Sequence, residues 1–182
     1  MARARNRGLV SAAGGRAMFT WKRILVPIDF SEHADQALRY AAALARECGA
    51  RLVMLHVDQS ISATASGLYA TELGVPPEVV EEVKKAREEL RMKLAKVEPP
   101  IAGLEVERHL VDGDPAEAIL RLASESGCDL IVMGTHGRRG LQRAVLGSVA
   151  ESVIRRAECP VVTIKLPGAK RTEGGGHASS GS

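Results

Sequence analysis

The chain reads as an α/β protein, a single-domain, doubly wound, five-stranded parallel sheet flanked by four helices. Three observations predict this class. Short apolar runs rich in Ile, Leu and Val alternate with stretches whose apolar residues recur at helical spacing, the pattern of repeated strand–helix units. The runs have the length of buried strands, and none approaches the ~18 residues that would span a bilayer. A total of 182 residues, 45% of them hydrophobic, suits one core of ordinary size.

Taken in order, Arg23-Ile24-Leu25-Val26-Pro27-Ile28 is the first strand, and Ala34, Ala37, Leu38, Ala41, Ala42 and Ala45 mark the first helix behind it. The second strand is Leu52 to Val57. Asp58 to Val75, with its Ser, Thr and Gly, forms a long loop of the kind that serves a site or lacks order. A second helix is expected from Pro77 to about Val97. Val79, Val83, Leu90, Leu94 and Val97 form its apolar stripe, and Glu81/Lys85, Lys84/Glu88 and Glu89/Lys93 are opposite-sign pairs four apart on its outer face. The third strand covers Leu104 to Val111, after which Asp114-Pro115-Ala116-Glu117 supplies an N-cap, a proline at the first helical position and an acid three beyond the cap. Asp129 to Met133 is strand four, Ser148 to about Ala157 is helix four, and Val161 to Ile164 is strand five.

Composition narrows the function. The formal charge of +3 comes from the first twenty residues, which hold four arginines and no acids, leaving 21 basic residues against 22 acidic ones. With 3% aromatic residues as well, no nucleic-acid face is indicated, since that would need clustered cations and stacking rings. Cys48, Cys128 and Cys159 are odd in number and form no CxxC pair, which argues against a disulfide framework or a zinc site and for a cytoplasmic location. Residues 1–20 are expected to be an extension without fixed structure, and Met18 is a second candidate start. Residues 21–167 form the folded domain, and 168–182, Gly/Ser-rich, a tail without structure.

The chemistry gathers near the last strand pair. Leu130-Ile131-Val132-Met133 runs into Gly134-Thr135-His136-Gly137, and Gly147-Ser148 opens a helix ten residues on. Backbone N–H groups and a helix N-terminus brought together in this way suit an anion such as phosphate. Gly134 and Gly137 either let a ligand approach the backbone or simply turn the chain. Ser148-Val149-Ala150-Glu151 matches a capping box, a role that does not exclude phosphate binding. Arg138, Arg139 and Arg143 add positive charge. Asp29 either caps the first helix or serves a ligand, accepting from ribose hydroxyls or holding a metal ion against phosphate oxygens. His136 has no nucleophile or orienting carboxylate identifiable beside it and reads as a loop or ligand contact, while the other histidines show no metal-ligand spacing. No GxxxxGK[ST] pattern occurs, so efficient phosphoryl transfer is not signalled.

The residues from about 22 to 166 resemble the universal stress proteins, specifically their ATP-binding branch. The likeness rests on a glycine, two residues, a glycine, nine residues and then glycine with Ser or Thr, here Gly134, Gly137 and Gly147-Ser148. Ile24 to Asp29, Leu55-His56-Val57 and Cys159-Pro160-Val161-Val162 support it. The resemblance implies an adenine nucleotide alpha hydrolase-like, Rossmann-like fold with strand order 3-2-1-4-5. It also implies a site for ATP with Mg2+ or Mn2+: adenine near Val57, ribose near Asp29 and Gly134, and phosphates against Gly137, Gly147, Ser148 and Val149. Pro27 and Ile28 would line the nucleoside pocket, Met133, Thr135, His136 and Arg138 would complete the loop side, and Asp29 would face the metal. Ala150 stands where relatives carry a Ser or Thr, so one phosphate contact is missing.

The resemblance further implies a homodimer through the last strand, an apolar edge that would otherwise invite aggregation. The function expected is a cytoplasmic, ATP-binding stress-response module that acts on a protein partner by binding rather than by turnover. A slow ATP hydrolase and a nucleotide-free, dimeric, chaperone-like module are the alternatives.

Overall fold

The structure, a computed structural model, describes residues 9–11, 17–59, 74–135 and 146–166. The elements are β1 Leu9–Ser11, β2 Ala17–Phe19, β3 Arg23–Pro27, α1 Glu32–Cys48, β4 Arg51–Asp58, α2 Pro77–Ala95, β5 Val106–Asp112, α3 Pro115–Glu125, β6 Leu130–Gly134, α4 Ser148–Arg156 and β7 Val161–Ile164. Five strands form one all-parallel sheet in the order β5-β4-β3-β6-β7, which is the expected 3-2-1-4-5 order. Within the extension expected to lack structure, β1 and β2 pair antiparallel, as the β-favouring residues Leu9, Val10 and Phe19 allow.

Strand alternation sorts the core into two layers. Ile24, Val26, Leu52, Met54, Leu130 and Val132 face one way and pack with the alanines of α1 and with Leu94 of α2. Leu25, Val53, Leu55, Ile131 and Met133 face the other way, against Ile119, Leu122, Ala150 and Val153 of α3 and α4. Both faces of the central strands are covered, which is why β3 and β6 read as continuous apolar runs.

Local chemistry starts and stops the helices. Asp114 caps α3, its Oδ1 accepting from the Glu117 N–H at 3.0 Å. Gly49, at φ 64°, ends α1 in the left-handed conformation that glycine adopts without penalty. The inner line of α2 is Val80, Val83, Arg87, Leu90 and Leu94; Val79, expected in that stripe, is exposed. Arg87 occupies its place in the line by pairing with Asp112 at the end of β5. Outer-face ion pairs among the described residues are Glu81–Lys84 and Glu88–Arg91, three apart rather than four.

Two close contacts set the ends of the central strands. Asp129, 5% exposed, accepts from the Lys22 N–H at 2.9 Å and the Arg23 N–H at 3.1 Å, fastening the start of β3 to that of β6. At the other end of β6, a Cβ placed on Gly134 would stand 2.7 Å from the His33 Cβ and 3.1 Å from the His33 carbonyl, so the first turn of α1 lies directly against that glycine.

Both contacts have measurable consequences. Asp129→Ala takes the acceptor from two partly buried N–H groups and should cost about 3 kcal/mol in urea unfolding. Asp114→Ala, which loses one cap, should cost about 1 kcal/mol; a reversed order would show that Asp129 is not the fastening. Gly134→Ala should cost about 2 kcal/mol through overpacking, read as a lower melting temperature. An unchanged melting temperature would mean that the start of α1 can recede.

Candidate functional site

The strand order reverses between β3 and its two neighbours, so the crevice beyond their carboxyl ends is where a doubly wound sheet offers a ligand site. Pro27 closes β3 half-buried. Ile28, 2% exposed, turns into the α1–α2 core; its N–H donates to the Leu55 carbonyl at 2.7 Å, and its carbonyl lies 2.6 Å from His56 Nδ1. Val57, half-buried on β4, packs on the opposite layer with Leu55 and Val111.

The structure removes one of the two roles open to Asp29, that of N-cap. The N-cap of α1 is Ser31, whose Oγ accepts from the Ala34 N–H at 3.3 Å. Asp29 stands two residues earlier, and its Oδ1 accepts from the Ser31 N–H at 3.0 Å and from the Ser31 hydroxyl at 2.5 Å. The carboxylate thus holds the capping serine and stays half-buried at the mouth of the crevice. The spacing Asp29-x-Ser31 was the available signal, since short polar side chains bond to backbone two residues on.

Across the crevice, Met133 is buried and Gly134 is partly covered by His33. Thr135, 6% exposed, joins three elements: its N–H donates to the Ile164 carbonyl at 3.0 Å, and its carbonyl accepts from the Gly147 N–H at 2.8 Å. The end of β6 thereby fixes where α4 begins. His136, Gly137 and Arg138, with Arg139 and Arg143, lie outside the described residues.

The capping box expected at Ser148 does not form. Gly147 is the N-cap, Ser148 is the first helical residue and Glu151 is the fourth, one position beyond the reach of a box. Glu151 pairs instead with Arg155, and its N–H closes the first turn onto the Gly147 carbonyl at 2.9 Å. No described side chain caps α4, so its first-turn N–H groups and the positive end of its dipole are presented beyond the sheet. An exposed Ser148 hydroxyl and the Val149 backbone stand with them.

Other titratable groups and a cavity lie away from this crevice. Burial pushes the Cys128 thiol up to about 11, which removes it as a nucleophile near neutral pH. Among the described residues no group of three or more His, Cys, Asp or Glu could hold a metal by itself. An open cavity of about 550 Å3 lies at the opposite, amino ends of β3 and β4, lined by Arg23, Arg51, Gly103 and Glu105 among others. Arg51 bridges Glu105 and Glu107, Arg23 bonds Glu107, and Lys22 and Arg46 add further positive charge to the lining. Burial raises the Glu107 carboxyl, but hydrogen bonds from Arg51 and Arg23 outweigh it and hold the group below its ordinary range. No described helix is long and apolar enough to cross a membrane.

Sequence and fold comparisons agree on the relationship. Universal stress protein MJ0577 of Methanocaldococcus jannaschii is 33% identical over 154 residues, covering 80% of this chain and 95% of the relative. Universal stress protein YxiE of Bacillus subtilis is 34% identical over 148 residues, covering 80% and 99%. The solved structure of MJ0577 superposes with a TM-score of 0.58 at 32% identity, over 82% of this chain and 99% of that one. UspA of Lactobacillus plantarum gives 0.56 at 28% identity, over 79% and 97%. A universal stress protein solved in complex with cAMP shares the fold at a TM-score of 0.51 and 23% identity, over 80% and 98%. The Universal stress protein family model matches residues 20–165, and with these relatives it shows that the chain belongs to the universal stress protein family.

Proposed function

We propose that this protein binds ATP in the crevice beyond β3, β4 and β6 and acts as a nucleotide-dependent stress-response module in the cytoplasm. One observation carries the reading: a half-buried carboxylate, Asp29, and a helix start at Gly147 that no described side chain caps flank the point where the parallel strand order reverses. A helix start of this kind accepts phosphate through its N–H groups, and Ser148 adds a hydroxyl. The glycine spacing at Gly134, Gly137 and Gly147 supports the same ligand. Val57 and Pro27 border the base and sugar. Met133 and Thr135, at the end of β6, are assigned to the same site, as are His136 and Arg138, which lie outside the described residues.

Mg2+ or Mn2+ fits this donor set as a shared ion. A single carboxylate supplies one oxygen ligand, and phosphate oxygens and water supply the rest, which is the usual manner of Mg2+ in nucleotide sites. The metal would neutralise phosphate charge beside Asp29. The homodimer is assigned to β7, an edge strand on which Val162 is exposed. A protein partner would read the nucleotide state, and the functional unit spans residues 21–167.

Released nucleotide identified after denaturing the purified protein, together with calorimetric titration of ATP, tests the reading. Gly147 has φ −75°, which any residue adopts, so Gly147→Val should leave far-UV circular dichroism native. It should weaken ATP binding by at least about tenfold, or about 1.4 kcal/mol. Asp29→Asn keeps an acceptor for Ser31 but removes the charge, and should abolish the strengthening of ATP binding by Mg2+. Equal ATP affinity in wild type and both variants would place the nucleotide elsewhere, and phosphate release above background would replace binding with slow hydrolysis.

A further inference from the structure

Among the described residues, Phe30 is alone among non-glycine residues in having a positive φ, at 61°. A bulky side chain in the left-handed region is strained and persists only where its surroundings over-determine it. Here the surroundings are specific. The Phe30 ring lies with its centroid 4.5 Å from that of His56, tilted by 45°, and Lys93 Nζ stands 4.1 Å from the centre of the same ring. His56 is buried at 7% exposure, and its Nδ1 contacts the carbonyl of Ile28 at 2.6 Å. With the Ile28 carbonyl as the acceptor, that nitrogen donates, which sets the tautomer and the ring plane.

Asp29 is therefore held from both sides. The peptide before it is bonded to His56, the residue after it packs its ring at a tilt against His56, and its own carboxylate bonds to Ser31. Lys93 belongs to the last turn of α2, so the same ring joins a surface helix to the crevice. We propose that Phe30 is a positioning residue for the Asp29 carboxylate, kept in its left-handed conformation by His56 and Lys93, so that the end of α2 tunes nucleotide affinity. This rests on the nucleotide reading above. Phe30 acts through the backbone it distorts and touches no ligand. By thermodynamic reciprocity, an ordered nucleotide also steadies the Lys93 turn.

Glycine separates the ring from the strain, because it adopts φ 61° freely and carries no side chain. Phe30→Gly should melt close to wild type yet bind ATP about tenfold more weakly, whereas Phe30→Tyr, which keeps the ring, should stay within about twofold. Lys93→Met removes the cation and keeps an apolar stem; it should cost about fivefold in affinity beside Phe30 and nothing beside Gly at position 30. Without nucleotide, Lys93→Met should shift the Asp29 and Ser31 amide resonances in the Phe30 protein but not in the Phe30→Gly protein. Wild type that binds ATP alongside an equally tight Phe30→Gly overturns this inference and leaves the nucleotide reading standing. Wild type that fails to bind ATP overturns the nucleotide reading. Unmoved Asp29 and Ser31 resonances overturn the positioning role whether or not ATP binds.

Discussion

The first turn of α1 lies so close to the end of β6 that no side chain fits between them at position 134, and the site depends on that approach. Alanines at 34, 37, 41, 42 and 45 let α1 settle deep on the sheet, and Gly134 removes the last obstruction beneath His33. Were the helix to stand off by a side chain's width, Asp29 and Ser31 would move away from the β6 loop and the crevice would lose one wall. Gly134, left open by the sequence between a ligand approach and a turn, therefore has a packing role that would be required without any ligand.

Position along the chain made the architecture legible and left the caps obscure. Alternating apolar runs and helical stripes identify five strands and four helices, because each pattern is repeated over several residues and tolerates an error at any one. The order of the strands followed from the family resemblance, and the register in the sheet confirms it. The start of α3 was legible too: Asp114, Pro115 and Glu117 all point to the same boundary. The start of α4 at Ser148 was legible but its cap was not: Ser148 and Glu151 resemble a box, whereas the Thr135 carbonyl takes the Gly147 N–H and Gly147 itself is the N-cap. A hydrogen bond from a distant strand decided that boundary, and no local window contains it.

The same limit explains Arg87 and His56. An arginine within an apolar stripe of α2 reads as an interruption until Asp112, 25 residues away, supplies its counter-charge. A histidine in a strand reads as a structural residue, and so it is, but the carbonyl and ring it engages belong to the connection that carries Asp29. Long-range polar contacts of this kind are what hold unusual backbone at a functional site, and single-sequence patterns do not report them.

Electrostatics gives the crevice a division of labour. The start of α4, which no described side chain caps, carries roughly half a positive charge, which favours an anion, while Asp29 places a carboxylate on the other side of the crevice. A polyphosphate entering alone would gain from the helix and lose to the carboxylate. A ligand that brings its own divalent ion reverses the second effect, because the ion is attracted to Asp29 and to phosphate oxygens together. On the proposed reading, the opposing charges would favour a metal-loaded nucleotide over a bare phosphate. The chain has no GxxxxGK[ST] pattern, so a proposed nucleotide here would meet no lysine of the P-loop type.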